Sequence, residues 1–239
     1  MIYKSHLMKT IYQKNKPILK INKNVFIPTG TSNLLIEACQ KIVRPKKKIL
    51  DLGCGCGIVG ISIAKKLKIK SKIFFSDISN KACKNTLINC KRLNINSEVR
   101  VGPLLEPWKN KKFDYIISDV AAISAEISKI SPWYKNCVNN SGYDGSDHII
   151  NIISNSKKYL HKNGKLIFPI ISLSNEKKIK SNLKKKFKKT KKISSQTWPM
   201  PKSISKKILL LNKLKKNKII SFESKLGLLT FRTYIYCAK

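Results

Sequence analysis

The stretch "KKKILDLGCGCGIVGISIA", Lys46–Ala64, decides the fold. Three lysines lead into Ile49–Leu52, a run apolar but for Asp51 and with the length of a buried strand rather than of a helix. The chain then turns on Gly53, Gly55 and Gly57, and apolar residues return at helical spacing from Ile58 onward. A glycine turn between a strand and a helix lets the backbone pass close to a ligand, because a side chain there would collide with it. Gly55, Gly57 and Gly60 fit G-x-G-x-x-G, and Asp77 follows Gly57 by 20 residues, the spacing of a dinucleotide fingerprint. A purely structural glycine turn uses the same residues. A metal reading of Cys54 and Cys56 lacks its second half, since tetrahedral zinc needs four ligands and no further Cys/His pair stands at usable spacing. These two cysteines read as small, buried turn residues.

Outward from that turn, strands and helices alternate. "KIFFSD" is a second strand and "SNKACKNTLINCKRLN" a helix with Ser79 as its N-cap. "SEVRVG" and "FDYIISD" give strands three and four. "GSDHIINIISNSKKYLHKNG" reads as a helix closed by Gly164, followed by strand five, "KLIFPIIS". Beyond Leu173 come a lysine-rich helix, the strand "TKKISSQTW", a second basic helix, and a last strand, "LLTFRTYIYCAK", whose alternation suits an edge of the same sheet. The expected fold class is α/β, a Rossmann-like, seven-stranded, mostly parallel sheet with helices on both faces. Residues 1–45 form a lead-in, a hairpin and the helix "TSNLLIEACQKIV", packing on the core. Residues 46–239 form the main domain with a basic C-terminal third. A chain of 239 residues suits this single large unit.

Charge is the extreme feature: 50 Lys+Arg against 12 Asp+Glu, a net +38. A polyanionic partner such as RNA or the ribosome is one explanation. An AT-rich genome is the other, because arginine is confined to Arg44, Arg92, Arg100 and Arg232 while Lys, Ile and Asn abound. Nine of the 12 acids fall between Asp51 and Asp147, which base composition does not account for. The N-terminus has no continuous apolar region, and no run approaches the ~18 apolar residues that span a bilayer. The seven cysteines are odd in number and scattered, as reduced thiols are. The expectation is a cytoplasmic protein with no membrane contact.

Asp51 separates the cofactor readings. It ends the first strand directly before Leu52-Gly53, whereas dinucleotide proteins run from an apolar strand straight into the first glycine. An acid followed by G-x-G-x-G resembles motif I of the class I S-adenosylmethionine-dependent methyltransferases. Several further stretches resemble their HemK-type branch, the release-factor glutamine methyltransferases. These are "VFIPTGTSNLLIEA" before motif I, "SDISNKACKNTLINCKRLNI" as motif II, "FDYIISD" leading into the catalytic loop, and "SGYDGSDHIINIISNSKKYLHKNGKLIF" after it. The resemblance covers roughly residues 25–170. It implies S-adenosyl-L-methionine as cofactor, held by Thr31, Asp51, Gly53, Gly55, Gly57, Asp77, Ile78 and Asp119. Asp77 would accept the ribose hydroxyls, and Asp51 would face the ammonium group.

The chain departs from that branch in three places. Asp119-Val120-Ala121-Ala122 stands where the family has Asn-Pro-Pro-Tyr. Pro103 stands where an acid meets the adenine amine. The lead-in is also shorter than the family's helical substrate-binding domain. Asp119 is the expected catalytic residue, accepting a hydrogen bond from an acceptor N–H and stabilising charge that develops on nitrogen. The Val120 carbonyl would take a second hydrogen, and Trp133 or Tyr134 would replace the missing aromatic against the substrate. His6, His148 and His161 have no partner pattern and read as structural or solvated. The expected function is methylation of a protein glutamine or an RNA base nitrogen in the translation apparatus, with an RNA or ribosome contact through the lysine-rich C-terminal third. The rival is a fold that keeps RNA binding and has lost catalysis. An NAD-dependent enzyme would require an acid/base pair that the sequence does not display.

Overall fold

A computed structural model describes residues 19–134, 137 and 139–239. The elements, in chain order, are α1 (Gly30–Ile42), β1 (Ile49–Leu52), α2 (Ile58–Lys66), β2 (Ile73–Asp77), α3 (Asn80–Arg92), β3 (Ser97–Val101), β4 (Phe113–Ser118), α4 (Ala125–Ile130), α5 (Asp147–Tyr159) and β5 (Leu160–Ile171). They continue as α6 (Glu176–Lys186), β6 (Thr190–Pro199), α7 (Lys202–Ser205), α8 (Ile208–Lys216), β7 (Glu223–Lys225) and β8 (Leu228–Ala238). All seven expected strands are present, in the order β3-β2-β1-β4-β5-β8-β6, with the short β7 added beside β8. Strands β1 to β5 run parallel, and β8 is antiparallel to both β5 and β6.

β1 and its neighbour β4 are covered on both faces, which is why their sequences are apolar at successive positions apart from Asp51, Asp114 and Ser118. On one face Leu35, Ile36 and Cys39 of α1 and Ile61 and Ile63 of α2 close over Ile49, Ile73 and Phe75. The helix "TSNLLIEACQKIV" therefore shares its core with β1. On the other face Ile149, Ile152 and Ile153 of α5, Ile179 and Leu183 of α6, and Trp108 pack on Leu50, Ile116 and Phe168. A third cluster joins Ile127 of α4, Ile204 of α7 and Leu211 and Leu214 of α8 to Phe231 of β8.

Two expectations are revised, and a third falls mostly outside the described residues. The last strand is not an edge: β8 is inserted between β5 and β6, and its alternation reflects faces covered to different depths along one interior strand. The edge on that side of the sheet is β6, whose lysines and small polar residues disfavour pairing with other chains. The helix expected to close at Gly164 ends at Tyr159, because Leu160 turns extended and pairs with Phe113. His161–Asn163 bulge out to solvent, and β5 resumes its register at Lys165 opposite Tyr115. Gly164 is needed there for a close approach, since a Cβ would lie 2.9 Å from the Phe113 carbonyl oxygen. The N-terminal hairpin falls mainly on residues 1–18, outside the described residues, and residues 19–29 form no strand.

Strand order reverses between β1 and β4, so connections leave the sheet to opposite sides and open a crevice at the carboxyl ends of these strands. The candidate site lies there.

Candidate functional site at the carboxyl ends of the strands

A cavity of about 630 Å³ opens at the carboxyl ends of β1, β2 and β4, within the range of small-molecule sites. Its floor is the glycine turn. Gly53 has φ +76°, and a Cβ there would sit 2.6 Å from Val120 Cγ1. The Gly53 and Cys54 amides donate to the Ser76 carbonyl at 2.8 and 3.0 Å, stitching β1 to β2. Gly55, at φ +56°, faces open space where an added Cβ would have no neighbour within 4 Å. Cys54 and Cys56, within this turn, are buried and line the cavity. Gly57 does not line the cavity. It caps α2 at φ +84° and packs on Thr86 of α3.

Asp77 ends β2 and takes one backbone donor on each oxygen: the Gly55 amide at 3.0 Å and the Ser79 amide at 2.8 Å. The carboxylate is thereby fixed in orientation, with lone pairs left for a ligand. Burial raises its pKa, and the Ser79, Gly55 and Ile78 amides oppose that rise. Ile78, 73% exposed, stands at the cavity rim.

Asp51 lies beneath the turn and does not line the cavity. Its Oδ2 accepts from the Gly60 amide at 2.8 Å, and its buried Oδ1 has no hydrogen-bond partner. Burial lifts its pKa to about 7 against the pull of the Gly60 amide, and the nearby Asp119 and Asp77 add to the rise.

Asp119 follows β4 and faces the cavity. Its Oδ2 accepts a 2.6 Å hydrogen bond from Ser32 Oγ, which accepts in turn from the Thr29 amide at 3.4 Å. Burial raises the Asp119 pKa, and the Ser32 hydroxyl opposes it. Ser32 is a site residue that the sequence reading passed over. Its signal was its place three residues after Thr29, in the turn that opens α1.

The loop after Asp119 is clamped by the block "SGYDGSD". Ser141 Oγ donates to the Ala121 carbonyl at 2.7 Å, and Asn139 Nδ2 donates to the Ile123 carbonyl at 3.2 Å. Gly145, at φ +75°, lies so close to this loop that a Cβ would meet the Ile123 carbonyl carbon at 2.4 Å. Asp144 holds the block in place, bonding Ser146 Oγ at 2.6 Å and pairing with Lys178 at 3.1 Å.

Val120 and Tyr134 line the cavity, with the Tyr134 ring 5.4 Å from that of Phe26. Burial, with Asp119 nearby, pushes the Tyr134 hydroxyl pKa up. Trp133 does not join them: its ring packs 5.5 Å from Phe231 in the third core cluster. Thr31 is likewise withdrawn, its Oγ1 3.3 Å from Thr233 Oγ1, which also accepts from Trp198 Nε1 at 3.1 Å. That contact ties α1 to β8. His148 and Asn140 line the cavity although nothing in their sequence context singled them out. Burial lowers the His148 pKa against the pull of Asp147. His161 is exposed in the β5 bulge, and His6 lies outside the described residues.

None of Asp51, Asp77 and Asp119 has a Lys, Arg or His within 4.0 Å among the described residues. In a chain of net charge +38, three neighbouring acids that no described lysine pairs with mark a place suited to a cationic ligand.

This architecture, with a glycine turn after β1 and an acid after β2, is the fold of the class I methyltransferases. Residues 23–119 match the family model of the methyltransferase small domain, and the chain resembles the release-factor glutamine methyltransferase branch. It is 33% identical over 161 residues to the release factor glutamine methyltransferase of Clostridium acetobutylicum, covering 63% of this chain and 56% of that protein. The chain thus spans just over half the length of this curated relative. The fold also matches a crystal structure of the ribosomal protein L11 methylase of Lactobacillus delbrueckii subsp. bulgaricus, at TM-score 0.52 and 18% identity, covering 91% of this chain and 84% of that one. A third match is the Thermus thermophilus 16S rRNA N2 G1207 methyltransferase in complex with AdoMet and guanosine, at TM-score 0.55 and 12% identity, covering 89% of this chain and 43% of that one.

Proposed function

We propose that this chain is an S-adenosylmethionine-dependent methyltransferase acting on a nitrogen of a macromolecule of the translation apparatus, a protein glutamine or an RNA base. The observation that carries the reading is the trio of uncompensated carboxylates around the glycine turn. The cofactor is a cationic nucleoside, with an ammonium group, a sulfonium and a ribose diol. Asp77 suits the diol, since each of its oxygens is already oriented by one backbone amide. Gly55 offers room for close approach of the main chain, and Ile78 an apolar rim for the adenine. The orphaned Asp51 Oδ1 lies below the turn and supports the cation through its charge rather than by contact. When bound, the cofactor supplies the electrophilic methyl group.

The chain's own residues align the acceptor. Asp119 accepts a hydrogen bond from the acceptor N–H, and Ser32, donating to Oδ2, holds the carboxylate in that orientation. As nitrogen gains its bond to the methyl carbon, the bond from that carbon to the cofactor's sulfur would break and leave its electron pair on sulfur, while positive charge grows on nitrogen and its proton becomes acidic. Asp119 stabilises that charge and takes the proton. The raised pKa of Asp119 makes it a better base than an ordinary carboxylate. The Val120 carbonyl accepts a second N–H, and the Phe26 and Tyr134 rings, tilted 39° to each other, supply an apolar wall for a planar amide or base. Ser32 is a positioning residue, whereas Asp119 is catalytic.

The lysine-rich C-terminal third supplies a contact to RNA or the ribosome in the same reading, through Lys184, Lys185 and Lys186 of α6 and Lys191 and Lys192 of the edge strand. These lie on the surface. The reading places the protein in the cytoplasm.

The test is transfer of a labelled methyl group into fractionated ribosomes, tRNA and total protein from cells lacking this chain. Label entering one fraction, and lost with Asp119→Ala, supports the reading. A second reading, RNA docking without turnover, is favoured by Pro103, which lines the cavity where an acid was expected. Cofactor binding without label in any fraction would select it.

A further inference from the structure

The opposite end of the sheet carries its own hollow. Lys109, Asn110, Lys111, Lys112, Lys158 and Tyr159 line a cavity of about 380 Å³ at the amino ends of β4 and β5. The hollow is built on a fixed turn. Lys109 has φ −46° and ψ 134°, Asn110 has φ +66°, and the Lys111 amide donates to the Trp108 carbonyl at 3.0 Å. This is a type II turn with asparagine at the left-handed position. Trp108, at its base, is fully buried and donates from Nε1 to Ser76 Oγ at 2.9 Å. The lysines are therefore presented from a rigid support.

Three of the four lysine charges are not spent in the protein. Lys111 bonds both oxygens of Glu98, at 3.1 and 3.0 Å. Lys109, Lys112 and Lys158 have no carboxylate within 4.0 Å among the described residues. Neighbouring strands extend the positive charge. β4 pairs with both β1 and β5, so Lys46, before β1, and Lys162, in the β5 bulge, stand at the same end of the sheet, where Lys47 pairs with Asp114 at 3.8 Å. A concave cluster of uncompensated ammonium groups is a phosphate site. A row of further lysines beside it suits a chain of phosphates better than a single one.

We propose that this hollow binds the phosphodiester backbone of RNA, at the end of the sheet opposite the carboxylate cavity. It thus serves as a handle on a large RNA-containing partner and not as part of the acceptor site. The inference rests on the charges and shape of the hollow, independently of the transferase reading.

The test measures binding of a fluorescein-labelled, single-stranded RNA 20-mer by anisotropy between ~50 and ~300 mM salt. Each lysine engaged on a phosphate adds about −0.7 to the log–log salt slope for single strands. The variant K109Q/K112Q/K158Q is expected to weaken binding about tenfold at low salt and to reduce the slope by about 2. The control K81Q/K84Q/K91Q removes three exposed lysines from α3 and is expected to change the slope by less than about 0.7. Thermal melting by circular dichroism confirms that both variants fold. Equal loss in the two variants would overturn the proposal, leaving the charge diffuse. In a second arm, inorganic phosphate and pyrophosphate are titrated into the wild type and the hollow variant. Small-anion binding lost from the hollow variant, with its RNA slope unchanged, would also overturn it.

Discussion

The two ends of the parallel sheet treat their acids in opposite ways. At the carboxyl ends of β1, β2 and β4, Asp51, Asp77 and Asp119 have no cation partner among the described residues, and burial raises the pKa of each. Towards the amino ends, Glu98 pairs with Lys72, Arg100 and Lys111, and Asp114 with Lys47. The hydrogen bonds and charges of Lys111 and Arg100 hold Glu98 below the usual range despite partial burial. One chain with a large excess of lysine thus neutralises its acids at one end and withholds lysines from them at the other. Lysine is abundant enough that its absence around three carboxylates is informative, whereas its presence on a surface becomes so only where several converge in a hollow without a carboxylate partner. The unpaired acids point to a cationic ligand, and the unpaired lysines of the hollow point to an anionic one.

The largest expected effect breaks the carboxyl end at its reacting atom. Asp119→Ala should lower methyl transfer by about 10²-fold or more, the scale of a lost general base, while S-adenosylhomocysteine affinity stays within about twofold of wild type. Single-turnover rates measured beside binding isotherms give both numbers, and wild-type turnover in the variant would remove Asp119 from the mechanism.

Gly145→Ala follows, because its Cβ would press on the Ile123–Ser124 backbone at a left-handed φ of +75°. Strain of that kind costs ~2 kcal/mol, which lowers the melting temperature of a protein of this size by about 4–8 °C. Gly55→Ala, also at positive φ but with open space at the Cβ, should melt closer to wild type. Equal melting temperatures for the two variants would show that the close approach at Gly145 does not constrain the loop.

The contrast in pKa predicts a pH dependence with a definite sign. Asp51 ionises near 3.8 when unfolded and near 7 when folded, so the folded state binds its proton more tightly. Its contribution to stability is full below about pH 4 and is lost as pH rises towards 7. Asp77 and Asp119 act in the same direction. Asp51→Asn should therefore flatten the stability of the ligand-free protein between pH 4 and 7, as measured by urea midpoints. An unchanged pH profile would show that Asp51 is already ionised. The smallest effect concerns α6: K184Q/K185Q/K186Q should reduce the RNA salt slope by about 1 to 2 without changing cofactor affinity. An unchanged slope would leave those lysines as a solvated face.

Features legible in the sequence were those set by local chemistry. The glycine turn, the acid at the end of β2 and the N-cap at Ser79, which accepts from the Ala82 amide at 3.3 Å, each follow from a few consecutive residues. Residues that meet across the fold were harder to read. Ser32 and Asp119 are separated by 87 positions, and no local pattern links a serine in a helix turn to an acid after a distant strand. His148 and Asn140 reach the cavity only because the block from Ser141 to Asp147 folds back on the loop after β4. Thr31 and Trp133 went the other way: each stands next to a cavity residue in sequence, and each turns instead into packing against β8. The insertion of β8 between β5 and β6 depends on antiparallel pairing that alternation cannot order.

The central claim is that the carboxyl end of the sheet holds a cationic nucleoside through Asp77. Isothermal titration of S-adenosylhomocysteine into the wild type and into Asp77→Ala tests it directly. The wild type should bind, and the variant, folded by circular dichroism, should bind at least about tenfold more weakly, since charge-assisted hydrogen bonds of about 1.5–3 kcal/mol each are lost. No binding to the wild type, or equal affinity in the two proteins, would contradict the account.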